Sequence, residues 1–208
     1  MDARTRIALY GGTFDPIHLG HLEIARKVLE LFEIEKVLFV PAQAPPHKVG
    51  RPVTEPIHRY AMLALATQND PQLSISTFEL DAPDRRYTVN TVEHFQKFFG
   101  ESIELFFIMG ADSWSEIKTW REWERLLGMI NHIVVTRPGY EVAAAPAELK
   151  QRVFFTDAVM KDISATNIRR LASEGRTEEL AKLVPEPVAE YIRKYQIYRD
   201  TNETKLNS

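Results

Sequence analysis

The chain has 208 residues, a hydrophobic content of 44% and a formal net charge of −3. That length suits one well-filled domain of mixed structure or at most two small ones, and the composition argues against a disordered chain. The acidic balance gives no general basic field, so we expect no nucleic-acid partner and only local binding of anions. The absence of cysteine excludes disulfides, thiolate catalysis and cysteine-bound metal centres.

The first residues, MDARTRIALYGG, contain no apolar core of a signal peptide. No stretch approaches the roughly 18–20 apolar residues that a membrane-spanning helix needs. We therefore expect no membrane partner and a cytoplasmic location. The sequence leaves a homo-oligomer open.

Strand-like apolar runs alternate with helical patterns along the chain. The predicted strands are, in order, Arg6–Tyr10, Lys36–Val40, Leu73–Phe78, Ile103–Met109, Ile133–Thr136 and Val153–Phe155. The predicted helices are His18–Phe32, Pro56–Thr67, Thr88–Phe99, Arg121–Leu127, Ala165–Ala172, Thr177–Leu183 and Pro187–Lys194. Thr54 is the expected N-cap of the second helix, and Gly100 the expected stop of the third.

This alternation predicts an α/β fold with a doubly wound, mostly parallel sheet and helices on both faces. We expect one domain over residues 1–200, with a small helical part from about residue 164, and a polar tail over residues 201–208. In such sheets ligands bind beyond the carboxyl ends of the strands, at the switch point between the first and fourth strands. The segments that begin at Gly11 and at Gly110 should therefore face one crevice.

The first of these segments reads GGTFDPIHLGH and has neither the Walker A nor the GxGxxG spacing. Gly11 and Gly12 allow a sharp turn and a close approach to a ligand. Free N–H groups at the following helix start favour an anion. His18 and His21 project from one side of that first turn, where imidazolium or neutral N–H donors can hold a phosphate.

Other interpretations of the two histidines are packing and metal binding. A metal site is disfavoured, because the chain has no HExxH pattern and no third ligand nearby. We assign no function to three further histidines, which fall in helix or strand patterns: His58, His94 and His132.

A second anion signal lies at DISATNIRR, which spans Asp162–Arg170. Ser164 or Thr166 caps a helix, and Arg169 or Arg170 follows one turn later. An arginine fork suits the oxygens of a triphosphate. By itself this is an ordinary capped surface helix, so its weight comes from occurring together with the first motif.

Together, GGTFDPIHLGH and ISATNIR resemble the nucleotidyltransferases that carry an HxGH motif and an ISxTxIR helix start. Five further motifs resemble the bacterial nicotinate-nucleotide adenylyltransferase family: PPHK at Pro45–Lys48, YTVNT at Tyr87–Thr91, GAD at Gly110–Asp112, TW at Thr119–Trp120 and RPGY at Arg137–Tyr140. The resemblance runs from the first strand to the penultimate helix and implies a Rossmann-like nucleotidyltransferase fold.

The resemblance implies that ATP and nicotinate mononucleotide react directly to give nicotinate adenine dinucleotide and pyrophosphate. Mg²⁺ would travel on the ATP phosphates with few protein ligands. The implied catalytic residues are His18, His21 and Arg169. The implied ATP-binding residues are Gly11, Gly12, Thr13, Phe14, Gly110, Asp112, Ile163, Ser164 and Thr166.

For the acceptor, the resemblance implies that backbone N–H groups of Thr88 and Arg121 receive the nicotinate carboxylate, while Trp120 stacks on the pyridine ring. Core packing is the other interpretation of Trp120, and it is the one we adopt for Trp123. Arg121 stands where an aromatic residue is common in the family, and its guanidinium favours the acid over the amide.

Two loop cations complete the expected acceptor site. Lys48 either reaches a phosphate or is a solvated loop residue, and Arg137 is either a turn residue or a substrate contact. The rival functions are a sister adenylyltransferase that uses nicotinamide mononucleotide or phosphopantetheine, and a non-catalytic nucleotide sensor. The retained phosphate-handling residues disfavour the sensor.

Overall fold

The computed structural model describes residues 4–43, 53–81, 87–136, 150–157 and 163–199. The strands are β1 (Thr5–Gly12), β2 (Lys36–Pro41), β3 (Leu73–Ile75), β4 (Ile103–Gly110), β5 (Asn131–Val135) and β6 (Val153–Thr156). The helices are α1 (Leu19–Leu31), α2 (Pro56–Thr67), α3 (Thr88–Phe99), α4 (Ala111–Ser115), α5 (Trp123–Met129), α6 (Ala165–Ser173), α7 (Thr177–Ala181) and α8 (Glu186–Lys194). A short 3₁₀ turn covers Ile117–Thr119.

The strands form one sheet in the order β3-β2-β1-β4-β5-β6, and every pairing is parallel. The predicted sheet is thus confirmed, and among the described strands it is parallel throughout. Both faces of strand β1 are covered by apolar side chains. Ala8 and Tyr10 belong to one apolar cluster, and Ile7 and Leu9 belong to the other, as the two-residue period of a strand requires.

Helices α1, α2 and α6 to α8 contribute to the first cluster, and α3 to α5 contribute to the second. The chain after β1 therefore leaves the sheet on one face, whereas the chain after β4 leaves it on the other. Because β1 and β4 are neighbours, this divergence opens a crevice at their carboxyl ends. The segments after β1 and β4 therefore lie side by side as predicted, and the binding of a ligand between them stays a prediction.

Local differences from the prediction have tertiary causes. Thr54 is not the N-cap of α2: Glu55 holds that position and no side chain caps the helix. Instead the Thr54 N–H donates to the Asp15 carboxylate, and the Thr54 carbonyl accepts from the Arg59 guanidinium. Gly100 ends α3 as predicted, with φ of +68°, where glycine avoids the strain of a side chain.

The remaining differences concern the boundaries of elements and one helix that was not predicted. Strand β3 stops at Ile75 rather than Phe78, α5 starts at Trp123 rather than Arg121, and α4 follows β4 where no helix was predicted. Across the described residues, no helix is long and apolar enough to cross a bilayer. The single domain over residues 1–200 and the cytoplasmic location stay predictions.

Candidate functional site

Two cavities adjoin at the carboxyl ends of β1 and β4. They share Gly11, Gly12 and Gly110 in their walls. We call the first the histidine cavity; it has about 420 Å³ and is lined also by His18, His21, Asp112 and the segment Ile163–Ala165. We call the second the tryptophan cavity; it has about 320 Å³ and is lined also by Glu79, Tyr87, Thr88, Trp120 and Arg121.

A larger cavity of about 790 Å³ lies at the opposite, amino-terminal edge of the sheet. Residues such as Glu104, Asn131 and Arg152 line it. Glu104 already pairs with Arg6 and accepts from the Asn131 amide. Because this larger cavity lies away from the switch point, we place the functional site at the two smaller cavities.

The histidine pair is locked in place by the start of α1. His18 is the N-cap in extended conformation, and its backbone N–H donates to Nδ1 of His21 over 3.3 Å. The two rings stack with centroids 3.6 Å apart. Since Nδ1 of His21 accepts, a neutral His21 carries its proton on Nε2, which is then the donor that the ring can offer to a ligand.

Both rings are neutral at pH 7 in the free protein. Burial lowers the pKa of His18 to about 4. Burial also holds the pKa of His21 well below its ordinary value, and the neighbouring His18 lowers it further. Two stacked rings cannot easily carry two positive charges. Of the two forms that the sequence left open, the structure therefore selects neutral N–H donors rather than imidazolium.

The backbone at the start of α1 differs from the expectation of free amides. The Leu19 N–H donates to the Leu183 carbonyl over 2.9 Å, and the His21 N–H donates to the His18 carbonyl. At Leu19 the expectation of an open N–H group is wrong, because the segment before α8 supplies its partner. What α1 presents to the cavity is mainly imidazole.

The sharp turn falls at Phe14 rather than at the glycines. Gly11 and Gly12 belong to β1, whereas Phe14 has φ of +51°. The glycines are needed for close packing: a Cβ on Gly11 would lie 2.8 Å from the Phe107 ring, and one on Gly12 would lie 2.8 Å from the Phe14 ring. The expectation of a glycine turn is thus wrong, and the absence of a Cβ instead lets aromatic rings pack against both glycines. The close approach to a ligand stays a prediction.

The opposite wall comes from the start of α6. Ser164 is its N-cap, without a side-chain capping bond, and Ile163, Ser164 and Ala165 line the histidine cavity. Arg169 reaches the loop after β1, where Nη1 donates to the Asp15 carbonyl over 2.8 Å, and its Nη2 donates to Oγ1 of Thr166 over 3.2 Å.

The two arginines of α6 thus have different settings. Arg170 pairs with Glu174 on the surface, so Arg169 is the one that joins α6 to the first motif. Neither Thr166 nor Arg169 is among the residues that line the histidine cavity in this conformation. Their predicted contact with ATP therefore stays a prediction.

The tryptophan cavity gathers residues from several segments of the chain. Trp120 is half-buried and meets Phe107 edge to face, with ring centroids 6.3 Å apart. The Arg121 guanidinium carbon lies 4.8 Å from the centre of the Tyr87 ring, a cation–π contact. Thr88, the first residue of α3, lies in the same wall. The predicted acceptor residues that are described are thus brought together.

One acidic residue of this cavity was not predicted. Glu79 is 8% exposed, and the Thr91 hydroxyl donates to its carboxylate over 2.6 Å. Burial raises the pKa of Glu79 to about 7, although the Thr91 hydrogen bond lowers it in part. The sequence signal was weak, namely one acid after an apolar run, because the burial of Glu79 depends on contacts with α3.

Lys48 and Arg137 lie outside the described residues, as do the PPHK and RPGY motifs. Of the unassigned histidines, His58 bonds the Tyr191 hydroxyl, His94 stacks on Phe78 and His132 is fully buried. Trp123 packs on the second apolar cluster, as expected. Among the described residues, no group of three or more histidine or acidic side chains is placed to hold a metal ion.

Comparison with known proteins agrees with this geometry. Residues 9–171 match the cytidylyltransferase-like family. A probable nicotinate-nucleotide adenylyltransferase from Thermoanaerobacter sp. (strain X514) is 43% identical over 210 residues, covering 98% of this chain and 99% of that protein. Another from Thermus thermophilus is 44% identical over 194 residues, covering 93% of this chain and 100% of that protein.

A solved structure of an enzyme with a similar name has the same fold. The structure of Plasmodium falciparum nicotinic acid mononucleotide adenylyltransferase complexed with NaAD superposes with a TM-score of 0.78, at 20% identity, over 93% of this chain and 97% of that one. At this identity the likeness concerns the fold alone, whereas the bacterial relatives match almost the whole sequence. On these grounds the chain belongs to the nicotinate-nucleotide adenylyltransferases, within the cytidylyltransferase-like family.

Proposed function

We propose that this chain transfers the adenylyl group of ATP to nicotinate mononucleotide, giving nicotinate adenine dinucleotide and pyrophosphate for NAD biosynthesis. The observation that carries the proposal is the pair of cavities that meet at Gly11, Gly12 and Gly110. One is lined by stacked neutral imidazoles and the other by a tryptophan and a guanidinium. Two anionic substrates bound side by side need two such compartments with a common wall.

The histidine cavity receives the ATP phosphates. Neutral ring N–H groups of His18 and His21 donate to phosphate oxygens, and the Ser164 end of α6 faces them across the cavity. We assign the β,γ end to Arg169, whose Nη1 lies 2.8 Å from the Asp15 carbonyl in the loop after β1. These donors stabilise charge as it moves onto the leaving pyrophosphate.

The tryptophan cavity receives the acceptor. Trp120 offers its face to the pyridine ring, and backbone N–H groups of Thr88 and Arg121 receive the carboxylate. The acceptor phosphate then lies at the glycine wall, from which an oxygen attacks the α-phosphorus of ATP while pyrophosphate leaves. Positioning two reactants in line accounts for most of the rate in such a reaction.

The histidine cavity fits a Mg²⁺ ion that is bound together with the ATP phosphates. Asp112 is the one carboxylate among the described residues that line it. A single carboxylate together with phosphate oxygens and water is the environment that this cation prefers. Bound there, Mg²⁺ neutralises phosphate charge. The sequence-predicted partners, ATP and nicotinate mononucleotide, and the absence of nucleic-acid or membrane partners, remain part of this proposal.

Pyrophosphate release tests the function. Purified protein with Mg²⁺ and ATP should release pyrophosphate when nicotinate mononucleotide is added. Nicotinamide mononucleotide and phosphopantetheine, run in parallel, should give much lower kcat/KM. Equal or better turnover of either would replace the acceptor assignment, and no turnover of any of the three would support a nucleotide sensor instead.

A further inference from the structure

A fully buried arginine joins the segments that form the two cavities. Arg59, in the first turn of α2, has 0% of its surface exposed. Its Nε donates to the Thr54 carbonyl over 2.9 Å, and its Nη1 donates to the carbonyls of Thr13 and Ala42 over 2.8 and 2.7 Å. Its Nη2 donates to the Gln43 carbonyl over 3.0 Å. One guanidinium therefore holds four backbone carbonyls.

The bonding pattern of Arg59 is not that of a buried ion pair. Among the described residues, no carboxylate lies within ion-pair distance of Arg59. Burial lowers its pKa, while the nearby Asp15 raises it. Taking a charge out of water is unfavourable, and a buried charge is weak evidence for a gain in stability. Stability alone therefore gives a poor account of an arginine at this position.

The four carbonyls belong to three segments at the carboxyl edge of the sheet. Thr13 follows β1, Ala42 and Gln43 follow β2, and Thr54 precedes α2. Thr13 and Ala42 also line the tryptophan cavity. The Ala42 N–H donates to the Gly12 carbonyl over 2.9 Å, so the loops after β1 and β2 are joined to each other as well as to Arg59.

The bond to Thr13 also fixes the peptide that precedes Phe14. In a trans peptide the carbonyl and the next N–H point in opposite directions. With the Thr13 carbonyl directed at Arg59, the Phe14 N–H is directed away from α2. Phe14 itself has φ of +51°, a strained value for a bulky residue that persists only when its surroundings hold it.

We propose that Arg59 is a positioning residue for adenylyl transfer, which spans the loops after β1 and β2 and so fixes the glycine wall between the histidine and tryptophan cavities. The inference rests on the proposed function, since the two substrates must meet at that wall. Arg59 touches neither substrate. It acts through the backbone at Thr13 and Ala42, and its planar fork of donors is what spans them.

The test compares Arg59→Lys and Arg59→Met with Met62→Ala, a matched control in which another fully buried side chain of the same helix is cut back. Lysine keeps the charge but offers its donors from one point, so it cannot hold all four carbonyls. We expect both Arg59 variants to lose about 100-fold in kcat, the effect of slight misalignment of reactants. Both KM values should stay within about 3-fold, because the binding surfaces remain.

Met62→Ala should keep kcat near the wild-type value at temperatures well below its melting point, even where its loss of stability equals that of the Arg59 variants. If Arg59→Met does not fold, Arg59→Lys carries the test. A wild-type kcat in Arg59→Lys would overturn the proposal, because charge alone would then suffice. An equal loss of kcat in Met62→Ala would also overturn it.

Amide hydrogen exchange tests the same inference without any substrate. In Arg59→Lys we expect faster exchange over residues 11–15 and at Ala42 and Gln43, with β4 unchanged. Unchanged protection in these loops would overturn the inference whether or not the proposed reaction is correct. If the wild-type protein fails to turn over nicotinate mononucleotide while the exchange result holds, the proposed function is at fault and the loop-spanning role of Arg59 stands.

Discussion

The two cavities at the carboxyl edge of the sheet are built in different ways. The histidine cavity takes most of its wall from one continuous stretch, in which His18 and His21 stack at 3.6 Å and share a hydrogen bond with the backbone. The tryptophan cavity takes short runs of residues from many segments of the chain, such as those that hold Glu79, Thr88 and Trp120. The stacked histidines of the first cavity are set by local geometry, although its opposite wall comes from α6. The second cavity exists only once the fold has formed.

This difference indicates that the two cavities have different roles in the reaction. A rigid, locally specified wall suits phosphate handling, which is common to every nucleotidyl transfer. A wall of separate residues can change one residue at a time, which suits the choice of acceptor. Substitutions in the histidine cavity should therefore reduce kcat for any acceptor, and those in the tryptophan cavity should act on the acceptor alone.

The largest effect is expected from His21→Ala. Removing a preorganised donor to developing charge costs roughly 10²–10³ in kcat. The protein should still fold, with a melting temperature lowered by roughly 2–4 °C, because the variant loses the Nδ1 acceptor of the His18 N–H at the start of α1. Steady-state kinetics and thermal melting measure both quantities. His94→Ala, whose ring stacks on Phe78 outside the two cavities, is the control; if it loses as much kcat, the catalytic role of His21 is wrong.

The next largest effect is expected from Trp120→Ala. Loss of an aromatic platform for a ring is worth about 1–3 kcal/mol, so KM for nicotinate mononucleotide should rise about 10-fold or more while KM for ATP stays near its wild-type value. Trp123→Phe, in the apolar cluster beside the cavity, should leave both KM values unchanged. A rise in KM for ATP in Trp120→Ala would contradict the separation of the two cavities.

The sequence predicted the fold better than it predicted the residues of the tryptophan cavity. The alternation of strands and helices, the helix limits of α2 and α3 and the switch point at β1 and β4 follow from apolar periodicity, because each pattern is local. The short helix α4 was missed, since five residues are too few to show a helical period. Thr54 was given the wrong role because its backbone bonds to Asp15, which is distant in sequence, and to the buried side chain of Arg59.

The residues of the site divide in the same way. His18 and His21 could be predicted from one motif. Glu79 and Arg59 could not, because the burial of Glu79 depends on its contact with Thr91 on α3 and that of Arg59 depends on its contacts with three separate segments. Their neighbours in sequence carry no sign of those contacts.

A smaller, pH-dependent effect is expected at Glu79. Since burial raises its pKa to about 7, the carboxyl is neutral below that pH and becomes an anion above it. An anion in this wall opposes an acceptor that carries a carboxylate and a phosphate, so KM for nicotinate mononucleotide should rise by roughly 5-fold between pH 6 and 8, the effect of about 1 kcal/mol.

Glu79→Gln should remove most of that rise, since the amide oxygen still accepts from Thr91 but carries no charge. Asp81→Asn, at an exposed carboxylate bonded to Thr77, should keep it. The free energy of unfolding should also fall as the pH rises from about 4.5 to 7. Over that range the unfolded chain loses the Glu79 proton that the folded protein still holds. A pH profile in Glu79→Gln identical to the wild type would show that Glu79 does not titrate against the acceptor.

The smallest effect is expected from Arg121→Ala. The guanidinium is exposed and stacks on Tyr87, and exposed charges contribute about 1 kcal/mol or less. The preference for nicotinate over nicotinamide mononucleotide, measured as a ratio of kcat/KM values, should fall by roughly 2-fold to 3-fold on that scale. Arg125→Ala, which removes surface pairs with Glu122 and Glu93, should leave the ratio unchanged. An unchanged ratio in Arg121→Ala would leave acid selectivity to the backbone alone.

The stereochemistry at the α-phosphorus tests the central claim most directly, namely that two substrates in adjoining cavities react across the glycine wall at Gly11, Gly12 and Gly110. The experiment uses one diastereomer of an α-thio analogue of ATP together with nicotinate mononucleotide. Direct attack by the acceptor phosphate in a single displacement predicts inversion of configuration in the dinucleotide product. Retention would mean that the adenylyl group passes through a covalent intermediate on the protein, and would contradict the account.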